Sequence, residues 1–445
     1  MKADNIITKI CVGGGGNTLR FYCAFIITVV LSMTAFSDVK TYYVSTSGSD
    51  QNDGSKNSPF ATLNFALSSA DSAIATGEGS ATIYVADGTY DISEDESHLN
   101  LTNAISVIGN TGDPSQVVIL NNSTKHRSFY LNHNSAAIKG ITIDRTSAES
   151  LVGVTSGGHI NLANGLIEDC VIRGGKLGSS VEVTNNQLGG NVYMTGGRIS
   201  RSKILDGRAL LQKTGDKYAL WAMGNIYVYG AVSGSLPVLE NCLIANGYAQ
   251  GVKNSTTSAP RKTGNIGITG SCHVINSTIV NGSSSSGIGG ITLFNNDNFT
   301  DTKIINCVMI GNDGIPSYSS NCHKDWGIGQ SNYPEKTTKR LNNSFINCAS
   351  GLWSEKIGTK TYASIAPNAT CIEITKDAFE NFDGGDYRPR KKDPFSPLIN
   401  AGTSRPEYLK YASSTSDLNG SLRFFGKLDI GCYECSLGGF SVIIR

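Results

Sequence analysis

An internal repeat constrains this chain more than any other feature. A motif of the form apolar-x-Asn/Asp-Cys/Ser-x-Ile returns at intervals of roughly 30 to 40 residues. It reads Ile167-Glu168-Asp169-Cys170-Val171-Ile172, Leu239-Glu240-Asn241-Cys242-Leu243-Ile244, Ile275-Asn276-Ser277-Thr278-Ile279 and Ile305-Asn306-Cys307-Val308-Met309. Asn342-Asn343-Ser344-Phe345-Ile346 reads as the next copy, and Ser200-Arg201-Ser202-Lys203-Ile204 as a degenerate one. A second half-motif accompanies most copies: Gly, a polar residue, then alternating apolar residues. It runs Gly158-His159-Ile160-Asn161-Leu162, Gly190-Asn191-Val192-Tyr193-Met194, Gly224-Asn225-Ile226-Tyr227-Val228-Tyr229, Gly264-Asn265-Ile266-Gly267-Ile268 and Gly290-Ile291-Thr292-Leu293.

Each period thus holds at least two short strands of alternating pattern, separated by turn residues. Such strands cannot bury their apolar face alone, but identical coils stacked on one another bury it as one continuous core. The expected fold is all-β, a right-handed parallel β-helix solenoid. Helical repeats need apolar residues at i, i+3, i+4 and i+7 over ten or more positions, and Gly, Asn and β-branched residues interrupt every such run. The four-strand blades and aromatic signatures of a propeller are missing. Equivalent residues of stacked strands lie about 4.8 Å apart. Cys170, Cys242 and Cys307, with Ser277 and Ser344 as substitutes, are therefore expected to form an internal ladder. The Asn before them is expected to form a second, amide-bonded one.

The remaining composition agrees. Charged residues are 16%, Gly numbers 51 and Pro only 11, which excludes a disordered Gly/Pro chain. A net charge of +1 argues neither for nor against a polyanionic partner. Residues 21–36, preceded by Arg20 and followed by Ala35-Phe36-Ser37, read as a secretory signal, with an uncleaved anchor as the alternative. The expected organisation is signal peptide 1–37, N-terminal cap and first strands 38–103, coils 104–350 and a less regular closing segment 351–445. A short helix over 62–76 is expected to plug the open end and cover its strand edge. No other segment is apolar enough to span a bilayer, and a secreted or cell-surface monomer is expected. Cys11 and Cys23 fall in the leader, leaving nine cysteines and no disulfide framework.

Two passages carry a family resemblance. Tyr42-Tyr43-Val44-Ser45, Gly48-Ser49-Asp50, Asn52-Asp53-Gly54 and Pro59-Phe60-Ala61-Thr62 are similar to the opening motif of secreted bacterial parallel β-helix proteins. These are the relatives of pectate lyases and other polysaccharide-acting enzymes. Ser396-Pro397-Leu398-Ile399-Asn400-Ala401-Gly402, followed by Asp417, Gly420, Arg423 and Asp429-Ile430-Gly431-Cys432-Tyr433-Glu434, resembles their C-terminal choice-of-anchor segment. The resemblance implies architecture, not activity. This chain departs from it in placing Cys432 where a small residue is usual. The resulting pair with Cys435 reads as a disulfide or an incidental pair, or alternatively as a redox or metal site.

Chemistry is expected where the repeat is broken. Insertions at 207–223, 248–263 and 313–340 recur at one point of the repeat and should leave the solenoid at one corner, walling a groove suited to a polymer. Arg208, Lys213, Lys217, Lys253, Arg261 and Lys262 fall in or beside them, opposed by Asp216 and Glu240. Tyr218, Trp221, Tyr227, Tyr229 and Tyr248 lie among them. Rings stack on sugar faces, and Lys or Arg pairs with uronate carboxylates. Lys217 or Tyr218 as base, with Arg208 as stabiliser and Asp216 beside them, would suit a lyase on an acidic polysaccharide. Trp221, Tyr227, Tyr229, Tyr248 and Lys253 are the expected substrate contacts. A glycosidase would draw on Asp206, Asp216 and Asp169. The bland alternative is an external aromatic ladder with solvated loop charges. A noncatalytic, adhesin-like solenoid is the alternative function. No nucleic-acid module is present. No cofactor is evident, although Asp50, Asn52 and Asp53 offer oxygens that would suit Ca²⁺.

Overall fold

The structure is a computed structural model. It describes residues 39–435 apart from 179–184, 212–219, 231–234, 252–261, 286, 295–301, 315–324, 329–344, 352–355, 358–359, 362–369, 411 and 424–426. The signal expected at 1–37 lies outside the described residues. No helix among those described is long and apolar enough to cross a membrane.

The chain is a right-handed parallel β-helix. Its largest sheet has 16 strands and carries two faces, because Phe129–Lys139 and Ile160–Glu168 run through both. On the first face Leu99–Leu101, Phe129–Leu131 and Ile160–Leu162 stack under Val192–Met194, Ile226–Gly230, Ile266–Gly270 and Ile291–Phe294. The second face begins with Val39–Val44 and Ser80–Val85 and reaches Phe345–Ile346. A ten-stranded third sheet runs from Gly88–Asp91 to Ile372–Glu373. Parallel stacking therefore begins well before residue 104 and continues past 350. A five-stranded sheet and a three-stranded sheet fold out at the corner between the third sheet and the next coil.

Alternation within each short strand decides what faces in. Ile138, Ile167, Ile199, Leu239, Val274, Ile304 and Phe345 stand in register on the second face and are fully buried. Ile143, Ile172, Ile204, Ile244, Ile279 and Met309 form the matching column of the third sheet. Burying one such side chain contributes roughly 1.5–3 kcal/mol, and each stacks on its own kind.

The corner between second and third faces explains the repeat's most regular residues. Asp169, Arg201, Asn241, Asn276, Asn306 and Asn347 all sit there with φ between 41° and 54°. Asn and Asp tolerate that left-handed conformation best among side-chain-bearing residues. Arg201 departs from type, and its guanidinium is held by both oxygens of Asp169 at 2.7 and 2.8 Å. The next residue turns inward and closes the corner. Cys242 Sγ reaches Glu240 O at 3.3 Å, while Ser202 Oγ donates to Ser200 O at 2.7 Å and accepts the Cys170 N–H at 3.1 Å. Cys and Ser interchange here because each is small and donates to the carbonyl two residues back. The strand register gives the ladder as Cys170, Ser202, Cys242, Ser277, Cys307 and Cys348. Cys348, not Ser344, thus holds the last of these positions, and Phe345-Ile346-Asn347-Cys348 is the true copy of the motif. The eight described cysteines are free thiols, Cys432 and Cys435 included. Burial pushes Cys170, Cys242 and Cys307 up to about 12, so they are packing residues and not nucleophiles.

The amide ladder expected beside the cysteines is only partial. Asn306 Nδ2 donates to Asn276 Oδ1 at 3.0 Å, but other amides of that row turn outward. The continuous ladder lies instead at the polar residue of the Gly-Asn half-motif. Asn191 Nδ2 donates to Asn225 Oδ1 and Asn225 Nδ2 to Asn265 Oδ1, both at 2.8 Å. Asn265 then reaches Asn312 at 3.0 Å, and Asn312 reaches Asp325 at 3.0 Å. Each of these side-chain oxygens also accepts a glycine N–H, from Gly175, Gly207, Gly247 and Gly282 in turn. Where the strand position becomes Gly290, Asn312 supplies the amide from the facing turn. His159 begins the row on Ser128 and the carbonyl of Arg173, and burial drives its imidazole down to about 3, so it stays neutral.

The N-terminal end of the described stack is covered. A helix, α1 (Leu63–Ala75), is capped by Thr62 and buries Leu63, Ala66, Leu67 and Ala70. Asp50 accepts the N–H groups of Ala61 and Thr62 and the Thr62 hydroxyl, Asn52 donates to Pro59 O, and Asp53 accepts from Ser55. Asp50 and Asp53 thus use carboxylate oxygens, and Asn52 its amide N–H, in shaping that turn. Among the described residues no group of three or more His, Cys, Asp or Glu is placed to hold a metal.

The closing segment folds back along the outside of the coils. Phe379, Phe382, Tyr387, Leu398, Ile430 and Tyr433 pack on Leu243, Ala245, Val280, Val308 and Ile310 of the third sheet. Leu409 and Ala412 pack on Val238, Ile275, Ile305 and Ile346 of the second face. The corner asparagines clasp it: Asn306 bonds Thr403 twice, Asn347 bonds Ala401 O and Asn241 bonds Ser416 O. The charged residues of the closing motif form its internal framework. Asp417 accepts three backbone N–H groups, Asp429 accepts those of Asn400 and Cys435, and Arg423 pairs with Glu434 at 3.1 Å.

Candidate functional site

The outward side of the first face is where the sequence places aromatic residues on strand positions that need not be apolar. The outward row runs Asn100, Tyr130, Asn161, Tyr193, Tyr227, Gly267 and Thr292. Tyr193 and Tyr227 stack along it with ring centres 5.8 Å apart. Trp221 stands edge-on to Tyr227 at 6.1 Å and lies against Phe294 at 4.5 Å. Gly267 makes room for this layer, since a Cβ there would stand 2.8 Å from Met223 Sδ and 3.0 Å from the Phe294 ring. The result is an aromatic strip spanning several coils, with Tyr229 at its edge and 44% exposed.

Tyr227 is the foundation of that strip, not its surface. It is buried, donates to Thr269 Oγ1 at 3.0 Å, and burial raises its phenol to about 12. The expectation that Tyr227 meets substrate directly is corrected accordingly. Its neighbours Trp221, Tyr193 and Tyr229 retain exposed surface.

The basic half of the expected site lies elsewhere. Arg208 and Tyr248 are register partners in the five-stranded sheet, in an outward row Lys176, Arg208, Tyr248, Ser283 and Asp313. The other side of that sheet, Ala209 and Ala249, packs with Leu211 and Leu220 on Ala222 of the three-stranded sheet. Met223, the next residue, turns the opposite way into the aromatic layer. Arg208 and Tyr248 therefore face away from Trp221 and Tyr227 across a thin two-layer corner, and one groove does not gather all four. Lys217, Tyr218, Asp216 and Lys253 lie outside the described residues. Asp169 and Asp206 are corner residues with φ of 54° and 59°, bonded to Arg201 and Asn246 respectively.

A second group of ionisable residues lies at the N-terminal end of the same outward row, and sequence reasoning passed over it. Tyr130 is met edge-on by His98, ring centres 6.3 Å apart. His126 and Arg127 occupy the turn leading into the Tyr130 strand, and Asp95 lies near His126, holding the Asn64 amide at 2.6 Å. Burial is the main cause lowering both the His98 imidazole and the Arg127 guanidinium, and neighbouring positive charge lowers His98 further. The available signal was the run Lys125-His126-Arg127 immediately before a strand. No repeat feature marks it, because it precedes the first clear copy of the motif.

Residues 46–210 match the family described as "Protein of unknown function (DUF1565)". A search of curated proteins finds no match. Among solved structures, a chain titled "Rhamnogalacturonan lyase" is similar at 16% identity, covering 84% of this chain and 98% of its own, with a TM-score of 0.38. A superposition this loose bears on neither activity nor substrate.

Proposed function

We propose that this protein binds an extended glycan along the outward side of its first face. The observation that carries the reading is the group of exposed and half-exposed rings Tyr193, Trp221 and Tyr229, seated on the buried Tyr227 and Phe294 over strands whose cores are already filled by the inward columns. Rings on an outer face contribute nothing to that interior, and aromatic faces are suited to pack against the apolar side of a sugar. One coil step of about 4.8 Å is close to the length of one sugar ring, so a chain lying along the solenoid axis meets successive coils in step. An extracellular or cell-surface location goes with this reading, on the strength of the apolar run at 21–36.

The test is a panel of neutral and uronate polysaccharides measured by calorimetry. Binding to at least one, weakened tenfold or more by Trp221→Ala and by Tyr229→Ala, is the expected result. A panel that binds nowhere, or binds equally to both variants, sinks the reading. Turnover is followed in the same samples by ultraviolet absorbance. Unsaturated product would establish β-elimination, in which a base takes the proton alpha to the uronate carboxylate and the bond to the leaving sugar oxygen breaks. Binding without product assigns the noncatalytic, adhesin-like role.

A further inference from the structure

Buried polar atoms without a hydrogen-bond partner gather at the turn 121–128, although others, such as Gln187 Oε1 and Arg390 Nε, occur along the chain. Asn122 Oδ1, His126 Nε2 and Arg127 Nη1 are buried there without a hydrogen-bond partner. Their neighbours Asn121 and Ser128 are fully engaged, Asn121 Nδ2 donating to Ser128 Oγ and Ser128 Oγ meeting His159 Nδ1. Buried polar groups are normally paired, and clustered exceptions call for a reason.

Arg127 is the informative member. Arg198, Arg201 and Arg423 each lie within 3.1 Å of a carboxylate. Arg145 instead donates to backbone carbonyls. Arg127 is half-buried, and no described carboxylate or carbonyl takes its guanidinium. His98 and Tyr130 lie within electrostatic reach of it, and His126 precedes it in the chain. His126 Nδ1 lies 2.9 Å from the carbonyl of Arg127, which can only accept, so that nitrogen carries the proton. Two carboxylates lie nearby, Asp95 and Asp91, and neither bonds Arg127: Asp95 Oδ2 is taken by Asn64 and Asp91 Oδ1 by Ser93. A half-buried guanidinium beside two imidazoles and a phenol, with its charge uncompensated, is a site for an anion. The planar fork favours a group with two coplanar oxygens.

We propose that Arg127, His98 and Tyr130 form a carboxylate-binding subsite. Tyr130 stands two coils from Tyr193 in one outward row, about 10 Å at the inter-strand spacing. The subsite therefore lies in line with the aromatic strip, at its N-terminal end. The glycan is then an acidic one, with a uronate carboxylate at Arg127 and neighbouring rings of the chain on Tyr193 and Trp221. This rests on the glycan reading for the identity of the ligand, but the subsite itself can be tested without a polymer.

The experiment follows the histidine ring resonances of the intact protein by NMR during separate titrations with galacturonate, galactose and inorganic sulfate. Saturable shifts of His98 and His126 with galacturonate, none with galactose, and a Kd at least tenfold weaker in Arg127→Gln are expected. Arg208→Gln, a solvated arginine on the far side of the corner, should titrate as the wild type does. If Arg127→Gln fails to fold, Arg127→Lys and His98→Gln take its place, and each should weaken galacturonate binding. Response to sulfate but not galacturonate overturns the carboxylate assignment in favour of a sulfated sugar. No response to either anion, or an undiminished response in the Arg127 variants, overturns the subsite. Neither outcome touches the polymer binding read through Trp221→Ala, so the two proposals fail separately.

Discussion

The early and late coils share one interior and differ on the outside. In the third sheet, Thr142-Ile143-Asp144, Val171-Ile172-Arg173 and Lys203-Ile204-Leu205 keep polar or half-exposed residues about a buried isoleucine. Their outer surface carries the ion pair Arg173–Asp144 at 2.6 Å, and on the adjoining second face Lys139 pairs with Glu168 at 3.0 Å. In Leu243-Ile244-Ala245, Thr278-Ile279-Val280 and Val308-Met309-Ile310 every residue is buried. The inward column is the same, but the outward one now lies under the closing segment. The inward ladder makes a coil, and the outward column decides whether that coil meets water or protein.

That contrast can be broken most sharply at one position. Glu240 and Glu168 occupy the same register column of the second face. Glu240 is fully buried, pairs with Arg198 at 2.7 Å and accepts the N–H groups of Ser413 and Ser414. Glu168 is a partly exposed surface partner of Lys139 and Arg201. Glu240→Ala should cost about 3 kcal/mol, because it strands the Ser413 and Ser414 N–H groups and takes a fully buried carboxylate from the partly exposed Arg198. Glu168→Ala should cost about 0–1 kcal/mol. Urea denaturation of both variants checks this, with hydrogen exchange reporting release of residues 398–435 only in the first. Equal effects would mean that the closing segment does not depend on the late coils.

A smaller contrast separates the two inward polar rows, which both span the covered and uncovered halves. Asn225→Ala removes the acceptor of the Asn191 amide and of the Gly207 N–H, and the donor to Asn265. At about 1–3 kcal/mol for a stranded buried group, the expected loss is about 3 kcal/mol in denaturant midpoint experiments. Cys242→Ser should change stability by less than about 1 kcal/mol, because serine already serves at Ser202 and Ser277 by bonding the carbonyl two residues back.

The last expected effect is one of pH, and it comes from the covered half. Burial raises the Glu434 carboxyl from 4.5 to about 7, with Arg423 opposing. Between those values the folded protein holds a proton that the unfolded chain has released. Stability from this group therefore falls as pH rises from about 4.5 to about 7 and is level above that. The wild-type melting temperature should drop by a few degrees across this window relative to Glu434→Gln. Parallel pH profiles for the two proteins would show that the shift is not felt in folding.

The sequence carried the repeat, the strands, the short helix and the cysteine row with little loss, because each is a local pattern. It misplaced one rung, choosing Ser344 over Cys348, where the consensus was read by spacing through an irregular insertion. The continuous amide ladder at Asn191, Asn225 and Asn265 was written in the half-motif, yet nothing local says that this Asn points inward and the Asn before Cys242 outward. The candidate site fared worse. Proximity along the chain joined Arg208 to Trp221, but a two-layer corner turns them to opposite sides. His98, Arg127 and Tyr130 come together across two coils and share no motif.

What the sequence determined by itself is the coil: period-2 apolar residues, left-handed corner Asn or Asp, and a small donor at each inner bend. These follow from backbone sterics and burial, which act within a few residues. What only the tertiary structure decided is which outer faces are covered and which side chains meet on the open one. Those depend on the return path of the closing segment and on stacking register, which join residues from tens to more than two hundred positions apart. A charge such as Glu240 or Arg127 reads the same in the chain, and its role is set by whether the fold brings it a partner.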